Sequence, residues 1–190
     1  MSRTSQGVRA TVDDLYQIDG NAELIDGRII PLMPTGHLPN QVAGRIYRRL
    51  ADFVDDRGTG FVYTDSMGFT VPELASRRES FSPDVSFLDG EAPVNRMRFV
   101  EGPPTFAVEV RSDVDYGPAA DRSYAAKRAD YFEAGILVVW DIDPVGEVIR
   151  SYRHDRPEAP TTFTQGQIAD AEPAVPGWRL EVDSVFPPRP

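Results

Sequence analysis

Apolar residues at Val42, Ile46, Leu50, Phe53 and Val54 recur with helical spacing and predict a long helix over residues 39–56. A second long helix is predicted to open at Pro118, where a missing N–H costs nothing, and to stop before Gly135. Other stretches alternate with period two. In residues 105–111, Phe106, Val108 and Val110 share one face, and Ala107, Glu109 and Arg111 share the other. Residues 136–142 are almost continuously apolar, the pattern of a strand covered on both sides. Strand, helix and strand over 105–142 predict a crossover unit whose outer strands run parallel.

The remaining signals are shorter. A capping sequence at Thr11-Val-Asp-Asp14 predicts a helix to about Ile18. Residues 21–33 read as two strands around the turn dipeptide Asp26-Gly27. Strands are also predicted over 61–63, 69–71, 82–88 and 147–153. Residues 73–80 read as a loop or exposed hairpin tip, and 91–104 as irregular, with three prolines. The C-terminal stretch 177–186, with Trp178, Leu180, Val182 and Phe186, is expected to pack on a sheet edge. Pro and Gly are spread evenly, so no linker divides the chain. One domain over 11–186 is expected, with flexible termini at 1–10 and 187–190.

Composition narrows the chemistry. The absence of cysteine excludes disulfides, thiolate metal sites and a cysteine nucleophile. The first residues lack the apolar core of a signal peptide, and the longest strongly apolar run, 136–140, is too short to span a membrane. A cytoplasmic protein with no membrane partner is the expectation. A net charge of −10 argues against nucleic-acid binding by bulk attraction but leaves room for a local cationic patch.

Among 20 basic side chains the single lysine is Lys127. Arginine serves everywhere else, so this position points to a compact ammonium rather than a planar fork. Asp84 at the start of one predicted strand, Glu109 within another, Lys127 on the following helix and Glu23 in the early hairpin could meet. Converging carboxylates form a hard-oxygen site of the kind Mg²⁺ accepts, with water and phosphate completing its shell. A lysine beside them can orient water or offset charge developing on a phosphate.

Ser82-Pro-Asp84, Ala107-Val-Glu-Val-Arg-Ser112 and Lys127 followed by Tyr131 resemble the PD-(D/E)XK nuclease superfamily. Glu-Leu-Ile-Asp-Gly at 23–27, His37, and Val-Val-Trp-Asp at 138–141 add a resemblance to the Uma-two-type restriction endonuclease family, over about residues 11–186. The resemblance implies an α/β, restriction-endonuclease-like fold: a central mixed β-sheet flanked by helices, with additional N-terminal and C-terminal strands. It implies an endonuclease using Mg²⁺ (or Mn²⁺), with Asp84, Glu109 and Lys127 catalytic. Asp84 and Glu109, with Glu23, would hold the metal. The implied substrate is a nucleic acid, DNA or RNA, and because nucleases that cut both strands are often symmetric dimers, a homodimer is the expected assembly. The superfamily's simplest pattern has lysine two residues after the acid, where this chain has Arg111; the family draws its lysine from the next helix, which fits Lys127.

Each residue also has a plainer reading. Asp84 reads also as a turn aspartate, Glu109 as an ion-pair partner of Arg111 or Lys127, and Lys127 as a solvated helix residue. Glu23 reads equally as a third metal carboxylate or as hairpin surface, and Tyr131 as packing or support for Lys127. His37 reads as a helix-start residue, Arg45, Arg48 and Arg49 as a solvated face or a phosphate-contact stripe, and Trp140 and Trp178 as core aromatics. Two other functions compete: a non-catalytic interaction protein on a nuclease fold, and a hydrolase of small phosphodiesters.

Overall fold

The computed structural model describes residues 9–187. In chain order the elements are α1 (Val12–Leu15), β1 (Ala22–Ile25), β2 (Arg28–Pro31), α2 (His37–Arg57), β3 (Phe61–Thr64), β4 (Phe69–Thr70), β5 (Ser80–Phe81), β6 (Val85–Leu88), β7 (Val100–Glu101) and β8 (Phe106–Val110). They continue with α3 (Pro118–Ala134), β9 (Val138–Asp143), β10 (Val148–Arg153), β11 (Arg156–Phe163), β12 (Ile168–Asp170), β13 (Arg179–Glu181) and a 3-10 turn, Val182–Ser184. The expected flexible termini lie outside the described residues at 1–8 and 188–190. Arg9 and Ala10 are tied down, by ion pairs of Arg9 to Asp26, Glu73 and Glu79 and a hydrogen bond from the Ala10 N–H to the Gly27 carbonyl.

A six-stranded sheet in the order β11-β10-β9-β8-β6-β3 forms the centre. Only β8 and β9 run parallel, paired from Phe106 with Val138 to Val110 with Ile142 and joined by α3, which is the crossover the sequence predicts. The neighbouring pairs are antiparallel, so the sheet is mixed.

The two faces of the sheet carry separate cores. Val42, Ile46, Leu50 and Val54 of α2 pack on Val85, Phe87, Phe106, Val108, Val110 and the inward side chains of β9. Each such side chain contributes about 1.5–3 kcal/mol on burial. The helix stops at Gly58, whose φ of 73° lets its N–H close on the Val54 carbonyl. On the opposite face α3 packs Tyr131 and Phe132 with Ala107, Val139, Ile136, and Phe69 and Phe81 of the small β5-β4-β7 sheet. Strand alternation puts Glu109 on this second face, with Ala107.

Four expectations change. The first long helix starts two residues earlier, at His37, and α1 ends at Leu15 rather than Ile18. Residues 73–79 form the expected loop, but it is only partly exposed: Leu74 and Arg78 turn inward and are buried. The C-terminal stretch is not on an edge. Trp178, Leu180, Val182, Val185 and Phe186 enter the α2-side core, where Trp178 stacks on Trp140 at 5.3 Å and meets Phe106 edge-on. The sheet's edges are β3 and β11, and β11 has no apolar alternation and carries Pro157 and Pro160, a composition tolerated only where one side of the ladder is unpaired. Among the described residues no helix is long and apolar enough to cross a membrane.

Trp178 therefore bears on the stability of the whole sheet. Trp178→Ala should lower the unfolding free energy by about 3–5 kcal/mol in urea denaturation. A loss below about 1 kcal/mol would show that the C-terminal segment is not part of the core.

Candidate active site

The site is built where β6 and β8 run side by side beneath α3. Val85 pairs with Val108 and Ser86 with Ala107, so the residue preceding β6, Asp84, comes beside Glu109. Asp84 is fixed there by its Oδ2, which accepts a 2.6 Å hydrogen bond from the Val110 N–H. Lys127, on the α3 face turned to the sheet, sets its Nζ 2.9 and 3.0 Å from the two carboxylate oxygens of Glu109 and 3.3 Å from Glu23 Oε1. One turn later the Tyr131 hydroxyl donates to Glu109 Oε1. Both oxygens of Glu109 are thus held from the helix.

Glu23 is buried and comes from β1. Its Oε1 also accepts the Ser82 N–H at 3.1 Å, and its Oε2 pairs with Arg78 Nη1. The Arg78 Nε donates to Asp130 Oδ2 at 3.0 Å, and its guanidinium lies over Phe81, which stacks on Tyr131. Arg78 and Asp130 went unseen in the sequence. Asp130 is three residues beyond Lys127, on the same helical face, and that spacing was a usable signal. Arg78 sits in the polar run Ser76-Arg-Arg-Glu79, which has the look of solvent-exposed chain.

Arg111 does not pair with Glu109. Its Nε and Nη2 grip Asp141 on β9 at 2.8 Å each, and its Nη1 donates to Asp121 at 2.7 Å. Lys127 is therefore the sole cation bonded to Glu109 among the described residues. His37 is exposed at the start of α2. Arg45, Arg48 and Arg49 lie on α2 as well, away from the site.

Four carboxylates, Glu23, Asp84, Glu109 and Asp130, share two cations, Lys127 and Arg78. The shortfall falls on Asp84. Burial, then the charge of Glu109, push its carboxyl up to about 7, against weaker opposing help from the Val110 N–H and Lys127. Burial also raises Glu109, although Lys127 and Tyr131 oppose it. Burial would raise Glu23 too, but the charges of Lys127 and Arg78 win and hold it below the usual carboxylate range. For Lys127 burial pulls downward, yet Glu109 and Glu23 keep the ammonium protonated well beyond neutral pH. Burial and the charge of Glu109 keep Tyr131 a neutral phenol. Lys127 is therefore a charged donor at neutral pH and not a base.

Oxygen donors that lack counter-charge suit a hard divalent cation. Among the described residues no three acidic or histidine side chains are arranged to hold a metal together. Asp84 and Glu109 form a pair, while Glu23 is committed to Arg78, Lys127 and the Ser82 N–H. Two carboxylates match the way Mg²⁺ is usually held, with water and substrate phosphate supplying the remaining oxygens.

The sign of the pH dependence follows from Asp84. Its folded-state carboxyl titrates near 7 against an ordinary 3.8, so between those values the folded protein keeps a proton that the unfolded chain has lost. Stability should fall as pH rises through that window and level off above it. In metal-free buffer, Asp84→Asn should gain on wild type by something on the order of 2–4 kcal/mol between pH 4 and 8. Parallel stability curves for the two proteins would contradict the burial of charge at Asp84.

Comparison with known proteins agrees with the fold. A crystal structure from Anabaena variabilis ATCC 29413, described as "a putative nuclease belonging to DUF820", superposes with a TM-score of 0.70 at 17% identity, over 93% of this chain and 97% of that one. No curated protein matches the sequence. The Uma2 family model, described as "Putative restriction endonuclease", matches residues 11–183, which contain all four carboxylates, Lys127 and Arg78. The chain belongs to the Uma2 family of restriction-endonuclease type.

Proposed function

We propose that the protein is a metal-dependent nuclease that hydrolyses nucleic-acid phosphodiesters at Asp84, Glu109 and Lys127. The observation that carries this reading is the adjacent pair Asp84 and Glu109, half-buried together with too little positive charge around them. In the proposed site both would hold Mg²⁺ or Mn²⁺. The bound ion would polarise the phosphate and make hydroxide available near neutral pH.

The chain's own groups complete the arrangement. Lys127 stays protonated and offers its N–H donors to charge building on the phosphate oxygens, where a buried cation acts strongly. Glu23 holds the ammonium from one side and Glu109 from the other, so Lys127 pre-exists in position. Glu23, read from the sequence as a third metal carboxylate, has in this proposal the task of orienting Lys127. Tyr131 fixes the Glu109 carboxylate through its hydroxyl. Arg111, committed to Asp141 and Asp121, leaves Glu109 to Lys127. DNA is the proposed substrate. A homodimer would bring two sites to the two strands, and light scattering tests it.

The net charge of −10 favours a second reading, an interaction protein that keeps the fold without turnover. Calorimetry separates the two. Mn²⁺ and Mg²⁺ should bind wild type and fail to bind Asp84→Ala. Plasmid DNA, RNA and a small phosphodiester, assayed on the same samples, identify the substrate. Asp84→Ala, Glu109→Ala and Lys127→Ala should each lose at least about 10²-fold in cleavage while circular dichroism stays native. Full cleavage by these folded variants would sink the assignment. No metal binding by wild type would favour the interaction protein.

Tyr131→Phe removes one donor to Glu109 and leaves Lys127 in place. Its cleavage rate should fall about 10-fold, less than for Lys127→Ala, as measured in single-turnover assays.

A further inference from the structure

A cavity of about 430 Å³ opens beside the carboxylate pair, between the start of α3 and strands β9 and β10. Three arginines line it: Arg111, Arg128 and Arg150. Its position follows from the chain. Arg128 directly follows Lys127 on α3, and Arg111 is one pleat repeat beyond Glu109 on β8, about 7 Å along the strand.

The two acids that line this cavity share one of its three arginines. Asp141 and Asp121 are both bonded to Arg111. Asp143, at the end of β9, accepts from the Tyr116 hydroxyl and from the Val145 and Gly146 N–H groups. Two guanidiniums are left with capacity to spare. Arg128 lies 3.6 Å over the Tyr152 ring, which leaves the edge of its guanidinium for a further partner. Arg150 approaches Asp143 only at 3.7 Å through Nη2, while its Nη1 is buried without a hydrogen-bond partner among the described residues. A buried N–H left unbonded is costly, and a ligand oxygen would satisfy it. The cavity also meets the N-terminus of α3 through Gly117, where no side chain caps the helix. Uncapped N–H groups and the helix dipole add to the attraction for an anion.

We infer that this cavity is an anion subsite in which Arg128 and Arg150 bind a phosphate group, the one next to the bond cut at Asp84 and Glu109. Arg111 does not bind the anion; clamped by Asp141 and Asp121, it forms the wall between the subsite and the carboxylates. That the phosphate belongs to a nucleic-acid strand rests on the nuclease reading. That the cavity binds phosphate does not.

The test measures binding in metal-free buffer, so it is independent of cleavage. Inorganic phosphate is titrated by calorimetry, and a labelled single-stranded 12-mer by anisotropy at several salt concentrations. The proteins are wild type, Arg128→Gln, Arg150→Gln, the double variant, and Arg45→Gln on the far side of the sheet as a control. The double variant should weaken both probes at least 10-fold and reduce the salt slope for the 12-mer by about 1–2. Arg45→Gln should match wild type, and Arg128→Lys should recover part of the loss. Weakening of inorganic phosphate alone would support the subsite for a free phosphate ligand and overturn its part in strand binding. Absence of binding to wild type, or equal binding by wild type and a natively folded double variant, would overturn the subsite.

Discussion

The ammonium of Lys127, held between Glu109 and Glu23, is the interaction on which the rest of the site depends. It joins three elements distant in sequence: the hairpin strand β1, the central strand β8 and the crossover helix α3. Replacing a buried pair by one unpartnered charge costs on the order of 3–5 kcal/mol. The helix has little else with which to dock, since its buried side chains are Asp130, Tyr131 and Phe132. A charged seam therefore replaces much of the apolar stripe that a surface helix normally uses.

That seam sits on a sheet packed on both faces. Apolar packing against α2 and the C-terminal segment fills one face, and the smaller core under α3 leaves room beside Glu109 for polar groups. The parallel pairing of β8 with β9 sets Glu109 opposite Asp141, and Arg111 then reaches Asp141 across the ladder. Two cation–carboxylate systems therefore lie side by side without mixing, Lys127 with Glu109 and Arg111 with Asp141. A planar guanidinium suits the bidentate grip on Asp141, and a compact ammonium suits the space between two carboxylates. The imbalance left after these pairings gathers at Asp84, the residue at which the proposed chemistry would centre.

Local rules made much of this readable from the chain alone. Helical periodicity marked α2, Pro118 and Gly135 bounded α3, and the apolar run at 136–142 marked β9. The lone lysine and the acid in an apolar strand stood out because buried charge is expensive and so rarely accidental. These signals determined the crossover unit, the two faces of β8 and the candidates Asp84, Glu109 and Lys127.

Partnership was decided only by the tertiary structure. Nothing in the chain said that Arg111 would choose Asp141 over Glu109, because that depends on strand register across a parallel pair 30 residues apart. Arg78 was hidden for a similar reason: its partners, Glu23 and Asp130, lie 55 and 52 residues away. The edge strand β11 lacked a pattern because a half-paired, solvent-facing strand needs no apolar alternation. Sequence determines which residues are costly to bury; the tertiary structure determines which charges meet, because electrostatic pairing acts through space and leaves no periodic trace along the chain.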